Sequence, residues 1–447
     1  MNNNHKYSLA ILACFCLTSF SPAEEFKIKE FTAGGIKVIF KPSAKDIVSV
    51  RLFVRGGTAN YSKEQEGIEA LALAVATEGG TKKLSMTDFG SATEKIGAQI
   101  SYSSSYDYSQ ISLSCITTYW NESWTLFADV IIQPRFDAQA FEIIKGQVHS
   151  GAKEQESNPD QYLENKSMEI SYAGRNYAKI PTGSAGSLEK LSLEQVKNHF
   201  SKIVNKANCF LVVVGNVTEA DITTKINTAL TQLQQGQTAK PEPKTEIQAG
   251  ITIENRDIAT NYVRGNMTVP ALIEPDAVPM RVAMAIMGDR FFVELRTKRS
   301  LTYAPAAYFN TGIVKNPLAV FYASSTKPKE ALKVMIDQIN EVKNQGFKDK
   351  ELKDKKEEFL TNYYSRLETN GAQSASIGGN EIAGSWKADE SFMGAVDKLS
   401  VSDLNMAFKK YSNAINWMYL GKATEVTKDD FMQPQILPNS GKIEIKK

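Results

Sequence analysis

A stretch of some twenty-five residues occurs twice in this chain, and the distance between the copies constrains the fold more than any other feature. LSLEQVKNHFSKIVNKANCFLVVVG begins at Leu191, and LSVSDLNMAFKKYSNAINWMYLG begins at Leu399. At an offset of 208, Leu191, Ser192, Phe200, Lys202, Asn205 and Asn208 coincide with Leu399, Ser400, Phe408, Lys410, Asn413 and Asn416. Each copy reads as a helix, a short Asn-bearing connection and a strand closed by Gly215 or Gly421. Solenoid repeats have periods of roughly 20–50 residues, so this spacing implies two duplicated α+β domains instead. The polar, Pro-bearing stretch QLQQGQTAKPEPKTEIQAG between them reads as a linker.

Length and charge agree with that division. At 447 residues the chain is long enough for about two to three domains with sizeable cores. Its formal charge of +2, with lysines spread along the sequence, gives no electrostatic footprint for nucleic acid or an anionic membrane. The start is different in kind. MNNNHKY is polar and weakly basic, SLAILACFCLTSF is apolar, and Ser21 and Ala23 are small residues suited to a signal-peptidase cut before Glu24. That run is too short to span a bilayer, and no later run reaches the length. Ile-Leu-Ala-Cys also resembles a lipobox, which gives lipoprotein processing at Cys14 as the alternative; export follows either way. Cys115 and Cys209 then remain, both in apolar strand-like runs. An oxidising compartment permits a disulfide, but their context reads as two buried thiols in different strands, and no zinc framework can be built from them.

Periodicity places the elements around the chemistry. FKIKEFTAGGIKVIFKPS and IVSVRLFVRGG read as strands; Gly67 to Thr77 and SMTDFGSATEKIG read as helices; AQISYSSSYDYSQISLSCITT reads as a strand hairpin. Helices follow from Trp120 to Val130 and from Ala138 towards Glu156. Further on, IMGDRFFVELRTKRSLTYAPAAYF reads as a helix end, a polar break at Lys298-Arg299-Ser300 and a strand. Val282, Ile286, Val293 and Leu295 form its apolar stripe, with Asp289, Arg290 and Glu294 on the polar side. Arg296 falls near the helix end and Tyr303 just inside the strand. A guanidinium fork and a phenol on rigid elements can bind a peptide carbonyl or a developing oxyanion, although a helix-end Arg and a strand Tyr commonly serve structure alone.

The string LRTKRSLTY resembles the Arg/Tyr segment in the C-terminal half of M16 proteins, the insulinase, pitrilysin and mitochondrial processing peptidase family; Ser300 stands where Gly is usual. The two-domain arrangement is similar to theirs as well. The resemblance implies an α+β chain of two duplicated α/β domains of the LuxS/mitochondrial-processing-peptidase-like type, forming half of a clamshell. The expected boundaries are 1–23 signal peptide, 24–232 N-terminal domain, 233–249 linker, 250–432 C-terminal domain and 433–447 tail. In the family, the Arg/Tyr pair contacts substrate opposite a zinc site.

M16 peptidases hold zinc with H-x-x-E-H on the first helix of the N-terminal half, plus a Glu about 75 residues on. The two His, one helical turn apart, share a face, and the Glu beside them is the general base. Here the corresponding segment is GIEALALAVATEGGT. The ligand positions fall on Ala70 and Ala74, the base on Leu73 and the downstream Glu on Gly151. None of these side chains can bind a metal. After the apolar N-terminal run only His149 and His199 remain, too far apart in sequence to share a helix face, so the chain itself is expected to hold no metal and no cofactor. His199 reads as a polar or half-buried helix residue. Walker, G-x-G-x-x-G and G-x-S-x-G motifs are absent. ASIGGNEIAGSW reads as a helix with small-residue contacts, and KDKELKDKKEEF as a solvated helix face.

The resemblance therefore implies a periplasmic, non-catalytic subunit of an M16 metallopeptidase, inactive alone. It would lend Arg296 and Tyr303 in trans to a zinc-bearing H-x-x-E-H partner acting on peptide or unfolded polypeptide. The alternative is a pseudo-peptidase serving as a structural or peptide-binding scaffold without proteolysis.

Overall fold

A computed structural model describes residues 27–432. The expected signal segment, the Cys14 alternative and the tail from 433 lie outside the described residues. The first half contains β1 (Lys29–Ala33), β2 (Ile36–Pro42), β3 (Ile47–Arg55), α1 (Ile68–Glu78), α2 (Met86–Lys95), β4 (Gln99–Ser104) and β5 (Tyr108–Ile116). It continues with α3 (Trp120–Ile132), α4 (Ala138–Ser157), α5 (Pro159–Ser171), α6 (Ala185–Leu188), α7 (Leu193–Ile203), β6 (Cys209–Gly215) and α8 (Glu219–Ala229). The second half contains β7 (Gly250–Asn255), β8 (Asn261–Thr268), α9 (Ala277–Phe291), β9 (Ala306–Asn310) and β10 (Leu318–Ser325). Then come α10 (Pro328–Gln345), α11 (Asp349–Arg366), α12 (Asn370–Ala383), α13 (Ala388–Lys398), α14 (Val401–Tyr411) and β11 (Asn416–Gly421).

The duplication is complete in topology. One sheet runs β1-β2-β6-β3-β5-β4 and the other β7-β11-β8-β10-β9, the same order once the extra edge strand β1 is removed. In both, the last strand lies parallel to the first strand of the shared order, β6 on β2 and β11 on β7, and antiparallel to β3 or β8. The matched residues do matched work. Ser192 and Ser400 each close a capping box at the start of α7 and α14. Asn205 and Asn413 each donate from Nδ2 to a carbonyl of the preceding helix, Lys202 at 2.9 Å and Lys410 at 3.2 Å, satisfying groups a helix end would leave bare. Phe200 and Phe408 are buried in equivalent cores.

Strand β6, CFLVVVG, is buried at every position, so both faces of its sheet are covered. One face packs on the half's own helices. The other is covered by a helix from the opposite half: α12 lies on β3 and β6, and α5 lies on β8 and β11. Ile39, Phe53, Phe210, Val212 and Val214 therefore share a core with Ile377, Ile382 and Trp386. Small residues make that approach possible. A Cβ on Gly378 would lie 2.0 Å from the Phe53 ring, which is itself held by Phe210, stacked at 4.9 Å, and by Tyr108 at 5.4 Å.

Some local expectations need correction. Lys355, in the stretch read as a solvated face, is buried and binds Asp289 and Glu358 at 2.5 Å each. The residues between 233 and 249, read as a linker, form neither helix nor strand and are tied to the first half. Lys206 and Ala207 N–H groups donate to the Gln234 and Gln235 carbonyls at 2.9 Å, and Ala239 N–H donates to Asn208 Oδ1 at 2.8 Å.

Gly378→Ala should destabilise the protein by about 1–3 kcal/mol through overpacking. Gly379→Ala, where an added Cβ meets nothing within 4 Å, should be neutral or stabilise by up to about 1 kcal/mol through helix propensity. Thermal melts of the two variants check the helix exchange, and equal melting points would contradict it.

Candidate functional site

The α1 positions aligned with the zinc ligands and the general base are packed into core. On α1, Ala70 is 3% exposed and Leu73 and Ala74 are 0%. The chain enters this helix through Gly67 at φ 86°, where a side chain would strike the Cα of Gly183 at 2.5 Å. Gly151 lies on α4, which packs against α1, and an added Cβ there meets nothing. Among the described residues, no group of three or more His, Cys, Asp or Glu is placed to hold a metal.

Beside these positions lies a polar cluster that the sequence reading did not single out. Glu69 is fully buried. It accepts from Ser109 Oγ at 2.5 Å and Asn60 Nδ2 at 2.9 Å, and His199 Nε2 lies 3.2 Å from its Oε2. His199, read as a polar or half-buried helix residue, is thus buried and paired. The Tyr61 ring stands edge-on to His199 with centroids 6.0 Å apart, and burial, then the Glu69 charge, push its phenol well above its ordinary range. The carboxylate is closed to solvent and saturated with donors, so the cluster ties α1 to α7 and β5 and has no reacting atom to offer. The available signal was a lone acid near the start of an otherwise apolar helix.

The Arg296 and Tyr303 site is the opposite in character. After α9 the chain continues into a π turn, Phe292–Thr297, marked by Lys298 N–H donating to the Val293 carbonyl at 2.9 Å. The wider turn rotates the stripe expected from α-helical spacing. Leu295 remains inside, Val293 turns out at 41% exposure, and Arg290 is buried against Glu351 at 2.8 Å and Glu341 at 3.3 Å. The turn closes with two nested backbone bonds, each one residue wider than in a Schellman motif. Leu301 N–H reaches back to the Leu295 carbonyl at 2.8 Å and Ser300 N–H to the Arg296 carbonyl at 3.0 Å. Leu295 and Leu301 supply the accompanying apolar contact in the core. Ser300 sits at the left-handed position with φ 51°, which explains why glycine suits this place.

Tyr303 consequently precedes the strand, which starts only at Ala306, and its side chain is 79% exposed. Ser325 Oγ anchors the approach by donating to the Leu301 carbonyl at 2.6 Å. The Arg296 guanidinium lies 4.4 Å from the Tyr303 ring centroid and 5.0 Å from that of Phe292, which is itself 45% exposed. The two residues picked from sequence therefore meet, on the surface, as a cation–π pair. They also occupy the place in the second half that α1 and the chain after it occupy in the first, because α9 follows β8 as α1 follows β3.

Comparison with known proteins identifies this arrangement. The chain matches the family described as insulinase (peptidase family M16) over residues 37–182 and the peptidase M16 inactive domain over residues 190–359. It belongs to peptidase family M16. The Helicobacter pylori protein named non-peptidase homolog YmxG is 26% identical over 337 residues, 72% of this chain and 76% of that protein. A peptidase M16 inactive domain structure from Pseudomonas fluorescens superposes with a TM-score of 0.82 at 21% identity, covering 89% of this chain and 98% of that one. The periplasmic protease PqqL from Escherichia coli gives a TM-score of 0.74 at 15% identity; the match covers 94% of this chain but 48% of that one.

Purified protein should contain no stoichiometric zinc by elemental analysis; one tightly held zinc per chain would overturn the assignment of Ala70, Leu73, Ala74 and Gly151. Ser300→Gly should raise stability by about 0.5–1 kcal/mol, relieving the left-handed serine at a small entropic cost, as read from a denaturant midpoint.

Proposed function

We propose that the chain is an exported, non-catalytic subunit of a two-chain M16 metallopeptidase. It presents Arg296 and Tyr303 to the active site of a zinc-bearing partner that carries H-x-x-E-H. One observation carries this reading: the Arg/Tyr pair is assembled and exposed, while the chain's own metal positions on α1 are buried as core and the fourth is a glycine. The span of PqqL, about twice that of this chain, supports an assembly in which a second polypeptide supplies the other half. Zinc would belong to the partner, the substrate is peptide or unfolded polypeptide, and the periplasm is the compartment that the N-terminal signal favours. Lipoprotein anchoring through Cys14 is the variant of that placement. Among the described residues no helix is long and apolar enough to cross a membrane.

In such a complex Arg296 donates in-plane hydrogen bonds to the substrate backbone, and the Tyr303 hydroxyl donates to the oxyanion of the tetrahedral intermediate. Coexpression with zinc-bearing M16 chains, size-exclusion chromatography and a peptide-cleavage assay test the reading. Tyr303→Phe or Arg296→Ala should lower kcat by roughly 10²–10³ while assembly and the partner's zinc content stay unchanged. Wild-type turnover by the double variant would favour the second reading, a scaffold that binds polypeptide without hydrolysis. The name borne by the Helicobacter pylori relative lends that reading its support.

A further inference from the structure

The turn that holds Arg296 is overloaded with positive charge, and the excess is left in one place. Arg296, Lys298 and Arg299 lie within four residues of one another. Glu294 accepts from Lys298 Nζ at 2.6 Å and from Arg299 Nη1 at 2.5 Å, so two cations share one carboxylate. Asp289, the next acid back along the helix, is taken by Lys355 at 2.5 Å, and Glu341 and Glu351 are taken by Arg290. Among the described residues, Arg296 has no carboxylate partner. Its guanidinium rests instead on the Tyr303 and Phe292 rings, with exposed Val293 alongside.

A guanidinium resting on aromatic rings is partly desolvated but keeps its N–H edge free. That edge matches a carboxylate, to which it can donate two parallel charge-assisted hydrogen bonds, stronger than those to a neutral carbonyl. Tyrosine, arginine and an exposed phenylalanine are also the side chains that dominate binding surfaces. A single unpaired cation suits a monoanion better than a phosphate dianion.

We infer that the Arg296, Tyr303 and Phe292 surface is a receptor for a polypeptide carboxylate, either the α-carboxylate at a chain end or a Glu or Asp side chain, flanked by apolar residues. The inference rests on the proposed role of this pair in contacting polypeptide, and it adds the chemistry of what is held. An α-carboxylate is also what peptide hydrolysis leaves behind. One anion-binding edge could therefore serve an oxyanion and then the product.

The test uses the full chain alone, without a zinc-bearing partner, and three hexapeptides of otherwise identical apolar sequence, each N-terminally labelled with an uncharged BODIPY dye. One carries an internal Glu and a C-terminal amide, one carries Gln and a free C-terminus, and one carries Gln and an amide. At least one carboxylate peptide should bind about tenfold more tightly than the neutral one by fluorescence anisotropy, with the advantage shrinking as salt rises. Which peptide shows it identifies the source of the carboxylate. Arg296→Met should abolish the advantage and Arg296→Lys should retain part of it. Arg296→Gln serves in place of the Met variant if circular dichroism shows that the latter has not folded. Equal binding of all three peptides, no binding of any up to millimolar concentration, or an advantage that survives loss of the cation would each overturn the inference. Because nothing is hydrolysed, failure of catalysis in trans leaves this result untouched, and the reverse also holds.

Discussion

The structure depends on covering the second face of each sheet. Strands β6 and β11 lie inside their sheets and are apolar on both sides, so neither half could stand alone without exposing a broad hydrophobic surface to water. The solution is reciprocal: α5 leaves the first half to cover the second sheet, and α12 leaves the second to cover the first. Each buries side chains of the other half, Leu163 against Met418 and Leu420, Ile377 against Phe53 and Phe210. Domain boundaries drawn along the sequence are therefore not boundaries between independent cores.

Polar groups fix the alignment that the apolar faces leave free. Asp107 of the first half accepts from Tyr177 Oη, from Val314 N–H at 2.6 Å and from Lys315 N–H at 3.3 Å. Burial pushes its carboxyl up, and these donors oppose that shift. Glu381 on α12 receives Lys37 and Arg55 at 3.0 Å each. Thr245 N–H donates to Asn316 Oδ1 at 2.9 Å, so the connecting stretch is stitched to the second half as well as the first. Buried charges of this kind add little net stability, because desolvation offsets attraction, but each is satisfied in only one relative placement of the halves. A surface site on α9 is thereby held at a fixed orientation to the rest of the chain.

Much of this was readable from residues, and the failures have physical causes. The repeat was legible because its matched positions are helix caps and a buried Phe, whose roles depend on local geometry alone. The continuous apolar run of β6 indicated burial on both faces, but nothing in the sequence could say that the second cover came from 160 residues further on. Arg296 and Tyr303 were found as a pair while their setting was misjudged. Helical spacing predicts Val293 inside, and a π turn, which depends on tertiary packing, turns it out. Tyr303 read as lying just inside a strand, but the closure of the turn at Ser300 delays that strand to Ala306. Glu69 and His199 were missed as a pair because they are 130 residues apart and neither carries a motif.

The two topologically equivalent places, α1 and the α9 turn, have taken opposite courses. In the first, every candidate ligand position is apolar or glycine, and the one buried acid, Glu69, is consumed by internal donors. That helix contributes to stability and has nothing left to give a ligand. In the second, the magnitudes run the other way. An exposed cation–π pair contributes about 0.5–1 kcal/mol, while a non-glycine residue in the left-handed region costs about 1–2 kcal/mol. The exposed cation–π pair by itself does not offset the cost of Ser300, and the turn is held instead by Leu295 and Leu301 buried beneath it. Tyr303 buries almost nothing, and Phe292 and Val293 expose apolar surface that a stable monomer gains nothing by showing. Folding energetics account for α1 as it stands and for the buried leucines of this turn, while the exposed Arg296, Tyr303 and Phe292 add little to the fold and are the groups that the proposed contact with polypeptide would use.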